Sequence, residues 1–221
     1  MSGKLIVFEG TDGSGKATQT KLLCEHLSSL GKSFRKIDFP RYDKPSAAMV
    51  KEYLDGKLGR NPGDVNAYAA SMFYAMDRYA SYKQDWGEFY EQGGLIVADR
   101  YTTSNAVHQA SKLPDDERDA YLKWLFHTEY ELFELPRPDL VIYLDMPTEI
   151  TERMMREREK ITGTHADIHE QDEEYLKKCR TNAKKVVQTC AWSVIDCARG
   201  DFPKTPSDIH EEVYELVKRF L

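Results

Sequence analysis

Leu5-Ile6-Val7-Phe8-Glu9-Gly10-Thr11-Asp12-Gly13-Ser14-Gly15-Lys16 decides how the rest of the chain is read. A short apolar run breaks into a glycine-rich turn, a lysine follows, and a helical pattern runs from Ala17 to Leu30. Gly10, Gly15 and Lys16 have the spacing of a P-loop, in which backbone N–H groups and a helix N-terminus hold a phosphate chain. The spacing predicts a nucleotide cradle of Gly10, Thr11, Asp12, Gly13, Ser14, Gly15 and Lys16, running into Ala17 and Thr18. Lys16 is expected to reach the terminal phosphates. One position departs from the pattern: the residue after the lysine is Ala17, where a Ser or Thr hydroxyl would ligate Mg²⁺. Successive helical side chains point about 100° apart, so Thr18 does not simply take its place. The main-chain cradle survives this change, and the metal site is the part it alters.

The length of 221 residues predicts one domain, 1–221, large enough to bury its own core. A hydrophobic share of 41% and a charged share of 31% are those of a globular protein. The net charge of −6 argues against nucleic acid as the main partner. Cys24, Cys179, Cys190 and Cys197 show no metal-ligand spacing and read as reduced structural thiols. The first strand begins within a few residues of the start, and no apolar run approaches a membrane span. A cytoplasmic protein without membrane partners is expected.

Strands are expected at Ser33 to Phe39, Leu95 to Tyr101, Asp139 to Asp145 and Trp192 to Asp196, in addition to the first. Helices are expected at Ser46 to Leu54, Asp64 to Gln84, Thr102 to Ser111, Pro114 to Glu134, from Pro147 on, up to Thr189, and from Ser207 to Leu221. The alternation predicts an α/β fold, a parallel sheet with helices on both faces. Ligands in such sheets gather beyond the carboxyl ends of the strands. Phe39-Pro40-Arg41-Tyr42 and Asp99-Arg100 follow or finish strands there. An apolar strand ending in Asp is where P-loop enzymes place the carboxylate behind the metal's water shell, and Arg100 beside it suits phosphate oxygens. Tyr74 and Arg78 stand four apart, on one helix face, as a ring and a guanidinium able to grip a nucleobase. Phe73 is turned away from them. The charged run from Glu152 to Lys160 reads either as a solvated face or as a lid, around residues 153–170, that folds over phosphates.

The P-loop stretch, Phe39-Pro40-Arg41-Tyr42, Tyr74-Ala75-Met76-Asp77-Arg78, Asp99-Arg100-Tyr101 and Leu144-Asp145-Met146-Pro147 stand in the order and spacing of the thymidylate kinase family. The chain resembles that family over nearly its whole length. The resemblance implies a P-loop nucleoside monophosphate kinase: a three-layer sandwich, a five-stranded parallel sheet in order 2-3-1-4-5, and a short lid. It implies transfer from Mg·ATP to thymidine monophosphate (dTMP), usually by a homodimer. By matching position, Asp12 is expected near the sugar 3′-hydroxyl and the metal, Lys16 on the transferring phosphate, Arg100 between phosphates and Asp99 behind Mg²⁺. Phe39, Pro40 and Arg41 are expected to line the monophosphate pocket. Arg78 is expected on a thymine carbonyl, Asn105 on the base edge, and His108 where some relatives place a ring against a 2′-hydroxyl. Asp167 and Glu170 match acidic residues at the lid's end. The stacking position before the arginine is usually Phe, and here it is Tyr74.

Some relatives carry an arginine within the P-loop, at the position held here by Gly13. Its cation is expected to come from the lid instead, from Arg153 and Arg156 ahead of Arg158. Two alternatives stay open: a kinase of the same architecture for another nucleoside monophosphate or deoxynucleoside, and a noncatalytic nucleotide-binding switch.

Overall fold

Alternate residues of the first strand, β1 (Lys4–Glu9), bury on opposite faces of the sheet. Ile6 and Phe8 pack with Leu23 and Leu27 on one side, while Leu5 and Val7 meet Ile96, Trp86 and Tyr101 on the other. Burial on both faces is why the run is continuously apolar instead of alternating. The computed structural model describes residues 2–154, 168–169 and 172–221. In it β1 is the central strand of a five-stranded sheet with β2 (Phe34–Asp38), β3 (Leu95–Asp99), β4 (Leu140–Asp145) and β5 (Ser193–Asp196), in the order 2-3-1-4-5. All four pairings are parallel.

Helix α1 (Lys16–Ser29) follows the P-loop and packs beside α9 (Pro206–Val217) on one face. The other face carries α2 (Ala48–Leu54), α3 (Ala67–Ser81), α4 (Gly87–Glu91), α5 (Thr102–His108), α6 (Arg118–Phe126) and α8 (Glu173–Thr189). Helix α7 is described over 148–154, and a small hairpin, β6 (Ala198–Arg199) and β7 (Phe202–Pro203), precedes α9. No helix among the described residues is long and apolar enough to cross a membrane.

Register brings the site together. Asp99 pairs in register with Phe8 on one side and Asp38 on the other, so β1, β2 and β3 end level. The P-loop, the Phe39–Tyr42 segment and Arg100 therefore emerge at one edge. The chain switches from the β3 side to the β4 side across β1, which opens a crevice at that point.

Several boundaries differ from expectation for local reasons. Helix α3 starts at Ala67, because Asn66 Oδ1 accepts from the N–H of Ala69 at 2.8 Å. Its path continues past Gln84 through a π-helical turn, Tyr82–Trp86, which packs Trp86 against Tyr82 and Tyr101. A second π turn, His127–Leu132, extends α6. The last helix begins at Pro206, capped by Thr205, since proline loses no hydrogen bond at the first helical position. Strand β3 stops at Asp99 because Arg100 turns left-handed, φ 69°.

Candidate active site

The P-loop is built by its own backbone. Gly10 (φ 155°), Gly13 and Gly15 (φ 93°) take positive φ, and the first turn of α1 directs its unpaired N–H groups to the groove. Lys16 is buried and its Nζ donates to the carbonyls of Gly10 at 3.0 Å and Thr11 at 2.9 Å. Burial and the charge of Arg100 push its pKa down to about 8, against the pull of the Asp12, Asp99 and Glu9 carboxylates. The groove beside Lys16 is lined by Asp12, Gly13, Gly15, Ala17, Thr18 and Asp99.

The left-handed turn at Arg100 swings its guanidinium back over the P-loop, with the backbone N–H held by Phe8 O at 3.1 Å. A non-glycine residue in this conformation costs free energy, and such strain gathers at functional sites. Arg100 donates to Asp12 and to His108 Nε2 at 3.2 Å, and stands 3.7 Å from the buried Glu9. Glu9 is fully held: Thr103 and Ser104 donate to it at 2.9 and 2.7 Å, and so does Gly10 N–H at 3.0 Å. Burial would raise the Asp12 pKa, but Arg100 and Lys16 hold it well below the usual carboxylate range. Arginine only donates, so His108 Nε2 accepts and its proton sits on Nδ1. Burial and the charge of Arg100 keep His108 neutral.

Next to this lies a half-open cavity. Asp12, Arg100 and His108 form one wall, Phe39, Pro40 and Tyr42 another, and Tyr74, Arg78 and Asn105 its far end. Arg78 is almost wholly buried and makes a double contact with Glu129, Nε to Oε2 at 2.6 Å and Nη2 to Oε1 at 2.5 Å. Burial works to lower the Arg78 pKa, and Glu129 more than offsets it. A guanidinium at one end, a ring, and hydrogen-bonding groups at the other suit a nucleoside monophosphate beside a nucleoside triphosphate groove.

The family model for thymidylate kinase matches residues 8–202. The chain belongs to the thymidylate kinase family. The function of that family is phosphorylation of dTMP with ATP. The chain is 30% identical over 176 residues to a thymidylate kinase of Mycobacterium tuberculosis, covering 79% of this chain and 81% of the relative. It is 31% identical over 227 residues to a thymidylate kinase of Pelotomaculum thermopropionicum, covering 100% and 97%. The solved thymidylate kinase of Candida albicans superposes with a TM-score of 0.71 at 21% identity, over 99% of this chain and 92% of that one, and so shares its fold.

Asp12, Phe39, Pro40, Tyr74, Arg78, Arg100, Asn105 and His108 line one cavity. Phe73, as expected, turns away, packing on the ring of Tyr53. Arg41 differs from its expected position. The buried carboxylate of Asp77 takes its backbone N–H at 2.8 Å and Nε at 3.1 Å, and Asp85 and Ser46 take the rest. Its side chain faces α3, and Tyr42 lines the cavity in its place. Arg153 also differs: Nη2 donates to Asp201 O at 3.4 Å, toward the β6–β7 hairpin, while Met154 lines the groove. Arg156, Arg158, Asp167 and Glu170 lie outside the described residues.

Sequence reasoning missed Glu129, which reads as one more charge on an amphipathic helix. It missed a second buried cluster as well. His169 Nε2 lies 2.7 Å from Tyr53 Oη, which accepts from Lys112 Nζ at 2.8 Å, and His169 stacks parallel to His108 at 6.3 Å. Burial pushes Lys112 down to about 7 and, with Lys112 nearby, His169 down to about 3. No motif announces these residues, since their partners are distant in the chain.

Proposed function

We propose that this chain transfers the γ-phosphoryl group of ATP to dTMP, with the P-loop groove as donor site and the adjoining cavity as acceptor site. The observation that carries this reading is Arg100, poised between the two, contacting Asp12 of the loop and His108 of the cavity. An oxygen of the acceptor phosphate attacks the γ-phosphorus, the bond to the β-bridging oxygen breaks, and ADP leaves. The acceptor is already an anion, so no strong base is needed. Lys16 and Arg100 meet the charge that develops on the transferring group. Tyr74 stacks on the base, Arg78 donates to a thymine carbonyl, and Asn105 reads the base edge. Asp12 accepts from the sugar 3′-hydroxyl, His108 fills the space beside the 2′-carbon, and Phe39, Pro40 and Tyr42 enclose the phosphate end.

Mg²⁺, when bound, would supply positive charge to offset that of the donor phosphates. Asp99 would hold it, with Asp12 beside it; both line the groove with Lys16. No cluster of three or more metal-ligating side chains exists among the described residues. Two carboxylates without a hydroxyl suit an ion that keeps several waters and takes phosphate oxygens as ligands. The cation near the transferred group is supplied by Lys16 and Arg100 among the described residues, with Arg156 as the lid candidate. A homodimer belongs to the same reading. Met76 on α3 and Leu132 on the π turn packed beside it, through Tyr79 and Phe133, expose apolar side chains that a second copy would cover.

The test is ADP release coupled to a dehydrogenase, with Mg·ATP and the monophosphates of thymidine, uridine, guanosine, adenosine and cytidine in the deoxy series. Preference for dTMP is expected. Equal or better use of another acceptor would assign the site to that nucleotide, and ATP binding without turnover on any acceptor would leave a nucleotide-binding switch.

A further inference from the structure

We propose that Glu129 is a positioning residue for the acceptor base, acting through Arg78. The proposal rests on dTMP occupying the cavity. Glu129 is wholly buried and does not line the cavity itself, whereas Arg78 and Asn105, two of the three residues it holds, do. Oε2 accepts from Arg78 Nε at 2.6 Å and Thr102 Oγ1 at 2.8 Å. Oε1 accepts from Arg78 Nη2 at 2.5 Å and, at 3.5 Å, from Asn105 Nδ2. Four donors thus fill the four acceptor positions of one carboxylate.

Two consequences follow from that arrangement. The side-on contact fixes the plane of the guanidinium and leaves Nη1, with only a 3.5 Å contact to Tyr101 O, as the nitrogen with a donor to spare in a residue that lines the cavity. Charge is the second. A nucleobase is neutral, and a lone buried cation at that end would favour an anion over a carbonyl. Paired with Glu129, Arg78 acts as an oriented donor with little net charge, which leaves phosphate binding to the Arg100 end. Stability alone does not account for the pair, because buried ion pairs can often be replaced by apolar side chains without loss. The local backbone points the same way: Glu129 sits in the π turn His127–Leu132, and Arg78 lies one turn before the π turn Tyr82–Trp86. Such turns occur preferentially where a functional side chain is re-aimed.

The experiment compares Glu129→Gln, Glu129→Asp, Arg78→Ala and the Arg78→Ala/Glu129→Gln double variant, with KM and kcat measured for each substrate. Glu129→Gln keeps the shape but puts an amide N–H₂ against the guanidinium. Its KM for dTMP is expected to rise about tenfold or more, with KM for ATP within about twofold. The double variant is expected to match Arg78→Ala, because Glu129 acts through the arginine. A folded Glu129→Gln with unchanged KM for dTMP overturns the proposal, as does additivity in the double variant. If Glu129→Gln fails to fold, Glu129→Asp decides. It keeps the charge but withdraws it by one methylene, and an unchanged KM for dTMP in that variant overturns the proposal equally. Failure of the functional reading looks different: the wild-type protein prefers another acceptor. In that case a Glu129 effect confined to KM for that acceptor still supports positioning.

Discussion

Lys16 bonds two P-loop carbonyls beside the proposed donor groove, and on that reading its charge matters most as the transferred group develops negative charge. Lys16→Ala is therefore expected to lower kcat about 10²-fold or more with the fold intact by circular dichroism. Arg153→Ala is expected to keep kcat within about threefold, since that guanidinium rests on Asp201 O; the same assay at saturating substrates checks both. The histidines give a pH dependence. His169 titrates near 3 in the folded chain and near the ordinary value of about 6.5 when unfolded. Between those values the unfolded chain binds the proton and the folded chain does not, so stability falls as pH drops through about 6.5. His169 alone accounts for about 2 kcal/mol of loss by pH 5. Unfolding free energies from urea denaturation at pH 7 and pH 5 are expected to converge by that amount in His169→Gln relative to wild type.

The strand–loop–helix unit makes its own demands. A Cβ on Gly10 would lie 2.5 Å from Ser14 Oγ and 2.9 Å from the carbonyl of Leu144, besides requiring positive φ. A Cβ on Gly15 would meet nothing within 4 Å and faces only the φ penalty. Gly15→Ala is thus expected to cost about 1–2 kcal/mol in urea denaturation, and Gly10→Ala distinctly more, with loss of ATP binding. The first turn of α1 carries a further prediction. Ala17 is exposed on the groove, so Ala17→Ser adds a hydroxyl without crowding. It is expected to keep activity and shift the Mg²⁺ dependence to lower concentration, read from a metal titration of the rate. An unchanged titration would show that the hydroxyl position does not contribute in this chain.

The whole molecule gathers three loops from level strand ends, and ligands that bind only this gathered state should stabilise it. At about 100-fold over its Kd, dTMP is expected to add about 2.7 kcal/mol. For a chain of this size, that raises Tm by roughly 5–10 °C. Thermal melts with dTMP and with the other monophosphates at equal concentration check the prediction, and a larger shift with another monophosphate would contradict the acceptor assignment. Arg78→Ala should lose the dTMP shift and retain that of ATP, since Arg78 lines the proposed acceptor cavity and not the groove beside Lys16.

The P-loop, the five strands and most of the cavity were legible because their causes are local. A glycine turn between an apolar run and a helix needs only adjacent residues, and Tyr74 and Arg78 share a face by helical spacing alone. Strand ends then bring Asp99 and Arg100 to the same edge once the strands are parallel and in register. Other features depended on partners far along the chain. Arg41 is drawn from the cavity by Asp77, thirty-six residues away, and Glu129 becomes part of the site only through Arg78, fifty-one residues away. His169 lies against His108 and Tyr53 for the same reason. Sequence by itself determined the glycine-rich strand–loop–helix turn, since backbone conformation is written in neighbouring residues. Which charges face the ligand and which neutralise one another was decided by tertiary packing, because a buried charge takes its role from whatever partner the fold brings to it.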